Sequence, residues 1–364
     1  MGKIKSRQKV KINEYSVVDL FCGVGGLTHG FVKENFKVDA GIDFDSSCKF
    51  AFEENNNSNF YSEDVTILTG KELNEKYISN RKKILVGCAP CQPFSLYKNK
   101  TINKQDKPED TKWKLLYSFA DLIDQVQPEI VSMENVPQLL KFNEGKIFKE
   151  FVERLENNNY TVTYYIVNAQ EYGVPQRRKR LVLFGSKHGE IKLIEKTTPK
   201  QYKTVKDAIG HLPAVEDGIP HPDDSLHLAR KLSDLNKKRI KSSTPGGFWR
   251  DWDEDLKLEC HKKDSGKAFG SVYGRMKWDD VAPTMTTCCT GLGNGRFGHP
   301  DQHRAITLRE AALLQSFPED YKFIDPLNKL PSQTIARQIG NAVPVDLGVA
   351  IAKSIKNHIE SLEK

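Results

Sequence analysis

The chain has 364 residues, 38% hydrophobic and 28% charged, a length suited to two domains and the composition of a soluble globular protein. Its net charge of +7 permits a polyanionic partner, but residues 187–303 hold 20 Lys and Arg against 17 Asp and Glu, so nucleic-acid binding must be argued from chemistry. Seven cysteines without a framework pattern suit a reducing cytosol, no apolar run approaches the ~18 residues of a membrane span, and Asp19 breaks the stretch after the basic N-terminus.

Ser16 to Phe21 is rich in β-formers and runs into Cys22-Gly23-Val24-Gly25-Gly26-Leu27 and an amphipathic stretch from Thr28 to Asn35. This reads as strand, glycine turn, helix, a unit that aims helix N–H groups at a ligand. The spacing is Gly-x-Gly-Gly and not Gly-x-Gly-x-x-Gly, so a pyrophosphate cradle is a poor match. A second strand, Val38 to Ile42, ends at Asp43, 20 residues after Gly23, where a carboxylate can accept hydrogen bonds from a ribose. Asp64-Val65 follows a third short strand, and a helix from Leu68 to Tyr77 leads to the next.

That next segment, Ile84-Leu85-Val86-Gly87-Cys88-Ala89-Pro90-Cys91-Gln92-Pro93-Phe94-Ser95, reads as a buried strand that presents Cys91 on a stiff loop. Cys91 is a candidate nucleophile; a packing cysteine and a Cys88-x-x-Cys91 redox or zinc pair are the alternatives. A zinc site would need a second ligand pair, and the adjacent Cys288 and Cys289 lack the usual spacing. A polar loop over 96–112 precedes a helix near Trp113 to Val126. Then Glu129 to Pro137 again reads as a strand ending in a polar pair, Glu134-Asn135. Burial there would favour the protonated form of Glu134, suiting an acid at neutral pH.

A helix from Lys146 to Glu156 and a strand from Thr161 to Val167 follow. Gln176-Arg177-Arg178-Lys179-Arg180 then feeds a strand over Leu181 to Gly185; alternate members point the same way, so Arg178 and Arg180 could converge on an anion or a base edge. After Gly185 the βα rhythm stops, and residues 187 to about 300 read as a separate, less regular domain. Thr307 to Leu314 has helical spacing, and Arg337 to Pro344 precedes a helix over Val345 to Ile359 that could return to the first sheet.

In this order the motifs resemble the cytosine-C5 DNA methyltransferases over nearly the whole chain. Asp19-Leu20-Phe21-x-Gly23-x-Gly25-Gly26 looks like the family's cofactor motif, and Pro90-Cys91-Gln92-x-Phe94-Ser95 its nucleophile loop. Glu134-Asn135-Val136 looks like its acid motif and Gln176-x-Arg178-x-Arg180 its basic motif, with Arg304 to Pro318 and Gly340 to Pro344 as its two C-terminal motifs. The resemblance implies a doubly wound, mostly parallel α/β sheet of Rossmann-like type with a second, irregular target-recognition domain. The expected division is 1–186 catalytic, 187–325 recognition domain and its supporting helix, and 326–364 a return segment.

The resemblance implies S-adenosylmethionine as cofactor, S-adenosylhomocysteine as product, and duplex DNA as substrate. Cofactor-binding positions would be Asp19, Phe21, Gly23, Gly25, Gly26, Leu27, Asp43, Phe44, Asp64, Val65, Pro90, Asn341 and Val343. Cys91, Glu134, Arg178 and Arg180 would be catalytic, with Gln92, Ser95 and Gln176 at the substrate. No metal is expected. A bacterial cytosolic monomer, with a cognate restriction endonuclease as a further partner, completes the expectation.

The chemistry asks for the same residue types. Cytosine C5 is a poor nucleophile until a thiolate adds at C6 and an acid engages N3, and a nearby cation lowers a cysteine's pKa. Base flipping is required, which makes 96–112 a candidate lid. A nicotinamide-dependent oxidoreductase would leave Cys91-Gln92 and Glu134-Asn135 without a task. A zinc deaminase lacks its Pro-Cys-x-x-Cys, and a catalytically dead DNA-binding module would not need Cys91 and Glu134. The tRNA-methylating branch shares the chemistry, but its Cys-Phe-Thr tripeptide is absent.

Overall fold

The computed structural model describes residues 12–90, 114–198, 201–264, 266 and 270–362. Cys91, Gln92, Ser95 and the 96–112 loop lie outside the described residues. Strands β1 (Tyr15–Leu20), β2 (Val38–Asp43), β3 (Asn59–Ser62), β4 (Lys82–Gly87), β5 (Ile130–Asn135), β6 (Thr161–Asn168) and β7 (Lys179–Ser186) form one sheet. Its order is β3-β2-β1-β4-β5-β7-β6. β1 to β5 pair in parallel, whereas β7 runs antiparallel to both β5 and β6. That reversal has a functional consequence: the beginning of β7 shares an edge with the carboxyl ends of the parallel strands, where open α/β sheets place their ligands.

The helices are α1 (Gly26–Lys33), α2 (Lys49–Asn56), α3 (Gly70–Glu75), α4 (Lys114–Val126), α5 (Lys146–Asn157), α6 (Val205–Ile209), α7 (Asp234–Lys241), α8 (Glu259–Lys262), α9 (Leu308–Leu314), α10 (Ser332–Asn341) and α11 (Val345–Ser361). Central strands must be apolar on both faces because helices cover both. Val18, Leu20 and Leu85 face a cluster that includes Leu73, Phe119 and Phe151, while Val17, Ile84 and Val86 face one that includes Phe31, Leu347 and Ile351. The return segment thus supplies α11 to the first sheet, and it sits close: a Cβ on Gly30 would lie 2.4 Å from the backbone of Gly348.

The region after Gly185 is irregular, with short helices and isolated bridges. It does not stand off from the sheet domain. Cys22, Phe52 and Phe60 share one buried cluster with Val205, Met276, Leu308, Tyr321 and Ile335. The Arg337 to Pro344 motif leads into α11 as its reading expects, and it is itself partly helical. Its first residues end α10, whose buried face is Ile335, Ala336 and Ile339, and the chain turns only at Ala342.

Candidate active site

Four strand ends and the start of β7 converge on one edge. β1 passes into a turn in which Phe21 has φ 58°, Gly23 φ 51° and Gly25 φ 85°. Left-handed backbone is ordinary for glycine but strained for phenylalanine, and such strain persists where surrounding structure enforces it. Cys22 N–H bonds the Ile42 carbonyl, Gly25 N–H bonds the Cys22 carbonyl, and the Phe21 ring stands edge-on to Phe119 with centroids 6.4 Å apart. The turn is backed by Val343, whose carbonyl oxygen would lie 2.2 Å from a Cβ on Gly26. Tyr321 donates its hydroxyl to the Val24 carbonyl.

Asp19 is buried beneath this turn, with Thr28 Oγ1 donating to Oδ2 at 2.6 Å. Its Oδ1 has no hydrogen-bond partner among the described residues. Burial pushes the carboxyl up to about 7 against the opposing Thr28 hydrogen bond. Asp43, at the end of β2, accepts from Gly23 N–H at 3.0 Å and Asp45 N–H at 2.9 Å. Burial raises its carboxyl above the ordinary range, with those backbone hydrogen bonds working the other way. Phe44 follows with 78% of its surface exposed.

The other expected cofactor positions divide. Asp64 is exposed and caps its own turn, accepting from Thr66 N–H at 2.9 Å, while the Val65 and Leu27 side chains are core. Pro90 is half-buried and Asn341 exposed. A Cβ on Gly23 would meet nothing within 4 Å, so the turn opens onto free space. An open left-handed turn, an unpartnered buried carboxylate oxygen, an acidic group and an exposed ring are a donor set that fits an adenosine-bearing cation such as S-adenosylmethionine.

The second half of the edge holds Glu134, only 2% exposed at the end of β5. Arg180 Nε lies 2.6 Å from its Oε1 and Cys88 Sγ donates to its Oε2 at 2.8 Å. Sheet topology explains the meeting: Gly87 pairs with Met133, putting Cys88 beside Glu134, and Asn135 pairs with Leu181, putting Arg180 just beyond. Asn135 donates to the Ala89 carbonyl at 3.2 Å, steadying the chain that leads through Pro90 to Cys91. Asn135 is legible in the sequence as one half of a polar pair and as part of Glu134-Asn135-Val136, but its bond to Ala89 is not.

Arg178 and Arg180 do not converge on one partner. Arg178 is buried and donates to the carbonyls of Met285, Gly340 and Ala342, tying the irregular region to the end of α10. Gln176 is likewise turned inward. It is fully buried, donating to the Leu314 carbonyl at 3.0 Å and Gln315 Oε1 at 2.7 Å and accepting from Met285 N–H. Residues just before β7 are crossed by the 282–286 backbone, Arg177 N–H bonding the Ala282 carbonyl, so alternate side chains enter an interdomain joint. Cys88, offered as half of a redox pair, is engaged with Glu134.

Comparison with known proteins decides the family. Residues 15–357 match the model of the C-5 cytosine-specific DNA methylases. The chain belongs to that family. It is 54% identical over 350 residues to the type II methylase M.HgiDII of Herpetosiphon aurantiacus, covering 96% of this chain and 97% of that protein. It is 32% identical to the type II methyltransferase M1.HphI of Haemophilus parahaemolyticus, covering 93% of this chain and 86% of the relative. A solved Entamoeba histolytica methyltransferase, EhMeth, shares the fold with a TM-score of 0.63 at 17% identity, covering 95% of this chain and 98% of that one. This chain is therefore a DNA cytosine-C5 methyltransferase of the type II kind, an enzyme of DNA methylation. Among the described residues, no helix of this methyltransferase is long and apolar enough to cross a membrane.

Proposed function

We propose that this methyltransferase modifies a flipped-out cytosine in a specific duplex DNA sequence through a covalent bond between Cys91 and C6. S-adenosylmethionine, when bound at the Phe21 to Leu27 turn, supplies an electrophilic methyl group. Phe21 and Phe44 offer it aromatic surface, Asp43 an acceptor for ribose hydroxyls, and Asp19 a carboxylate for positive charge. Cys91 attacks C6 as the thiolate while Glu134 gives a hydrogen bond or proton to N3, so the electron pair of the C5–C6 double bond becomes available at C5. After C5 is alkylated, a base removes its proton, and the returning electron pair expels the thiolate.

The observation that carries this reading is the buried Glu134 held by Arg180 at the strand end beside the Pro90 segment. A carboxyl placed there can meet the Watson–Crick edge of an extruded base, and it costs about a few kcal/mol to extrude one. Arg178 and Gln176 contribute by fixing the joint against which the base would lie. The relatives' names as type II enzymes support a cognate endonuclease acting on the same site.

The test is product analysis. Duplex DNA incubated with the enzyme and labelled S-adenosylmethionine is digested to nucleosides and resolved by mass spectrometry, with tRNA as a parallel substrate. 5-Methylcytosine in DNA alone is expected, lost in Cys91→Ser and reduced at least about a hundredfold in Glu134→Gln. Label in tRNA alone, or at another position of the base, would overturn the proposal.

A further inference from the structure

Glu134 is gripped from two strands. Arg180, on β7, approaches Oε1, and Cys88, at the end of β4, donates its thiol to Oε2. These are the ionisable groups in contact with the carboxylate among the described residues, since the neighbouring Asn135 amide is directed to Ala89. The last torsion of a glutamate is broad and roughly two-fold, so a cation at one oxygen fixes position without fixing the plane of the group. A second donor, on a different strand and at the other oxygen, does fix it. Cys88 is well placed for this because its own N–H is pinned to the Leu20 carbonyl at 3.3 Å, tying it to β1 as well.

We infer that Cys88 is a positioning residue for Glu134, its thiol setting the plane in which the carboxyl meets the cytosine. This rests on the acid role proposed for Glu134. Deleting the thiol leaves Oε2 without this donor and the carboxyl free to turn about its last torsion, and a hydroxyl in its place restores the contact.

The experiment compares Cys88→Ala, Cys88→Ser and Glu134→Gln in single-turnover methyl transfer, with cofactor affinity by calorimetry and thermal midpoints as controls. The expected result for Cys88→Ala is a fall of about tenfold in rate. Cofactor affinity should be unchanged. Cys88→Ser should recover most of the rate, which a merely structural thiol would not require. Should Cys88→Ala fold poorly, Cys88→Val removes the donor at similar volume. A wild-type rate in the donor-less variant, or a serine variant as impaired as alanine, overturns the inference. Wild-type rates in Glu134→Gln would instead overturn the acid role itself.

Discussion

The side-chain amide of Gln176 donates to Gln315 Oε1 at 2.7 Å, and both residues are wholly buried. Gln315 in turn donates to the Ile339 carbonyl at 2.6 Å and the Ala342 carbonyl at 3.2 Å. A chain of amides therefore links the start of β7, the end of α9 and the return segment. Replacing Gln176 by Met would leave the Met285 N–H and the Gln315 oxygen unpaired in a dry joint. The expected cost is about 2–4 kcal/mol of stability, read as a lower urea midpoint with S-adenosylmethionine affinity retained. Wild-type stability together with lost DNA affinity would return Gln176 to the substrate.

A second buried network makes stability pH-dependent. Arg304 Nη1 and Nη2 donate to the two oxygens of Glu310 at 2.8 and 2.7 Å, all within the core. Burial opposes the Glu310 charge, but the Arg304 hydrogen bonds and charge outweigh it and hold the carboxyl below the usual range. His299, 3.7 Å from Glu310, is pushed from 6.5 down to about 4 by burial. Its Nδ1 accepts from Asp301 N–H and Gln302 N–H, which requires the neutral ring there. Both groups have depressed folded pKa values, so their stabilisation is present at higher pH and lost on acidification. For His299 the window is pH 6.5 down to about 4, worth roughly 3 kcal/mol. His299→Gln should flatten the unfolding free energy across that window; an unchanged slope would contradict the assignment.

Much of the sheet was legible because its strands carry uninterrupted apolar runs bounded by Gly, Pro or acids, and β7 was placed correctly before its direction was known. What could not be read was which way a side chain leaves a crossing point. Arg178 and Arg180 share a face by alternation, yet 178 lies beneath the 282–286 backbone and 180 beside Glu134. Nothing local in the sequence signals a backbone more than a hundred residues away. Tyr321 was silent for the same reason: its hydroxyl bonds Val24 only because α9 and its following turn pack against the glycine turn after β1. The sequence reading contains no counterpart of α10; its Gly340 permits close approach, since a Cβ there would lie 2.1 Å from the Thr286 carbonyl.

The cofactor edge gives a proton-linkage prediction. Asp19 has a raised pKa of about 7 through burial, so near neutral pH it is only partly ionised. A cationic ligand beside its unpartnered oxygen should ionise it. Calorimetry in buffers of differing ionisation enthalpy should show release of a fraction of a proton when S-adenosylmethionine binds at pH 7, and Asp19→Asn should abolish that release. Asp43→Ala should separately weaken cofactor binding by about 1.5–3 kcal/mol while leaving cofactor-free DNA affinity nearly unchanged. Buffer-independent heats in the wild type would contradict the first expectation, and unaltered cofactor affinity the second.

Division of labour between the two regions can be tested by exchange. Replacing roughly residues 190–300 with the equivalent segment of a relative of different specificity should change the methylated sequence and preserve S-adenosylmethionine affinity. The shared core through Phe52, Met276 and Ile335 sets a condition: the joint residues Met276 to Met285 must be kept native. A chimera with unaltered specificity would contradict the division.

Trapping on a fluorinated base tests the mechanism most directly. With fluorine at C5, addition at C6 and methyl transfer can proceed, but the final step cannot, because fluorine does not leave as a cation. Duplex DNA carrying 5-fluorocytosine should therefore become covalently attached to the enzyme in the presence of S-adenosylmethionine. Cys91→Ser should abolish the adduct, since an alkoxide is far harder to generate at neutral pH than a thiolate, and Cys88→Ser should retain it. A methylated adduct mapped by mass spectrometry to Cys91 is the predicted result. An adduct at Cys88, or none on fluorinated DNA from a preparation that binds the cofactor and methylates ordinary DNA, would contradict it.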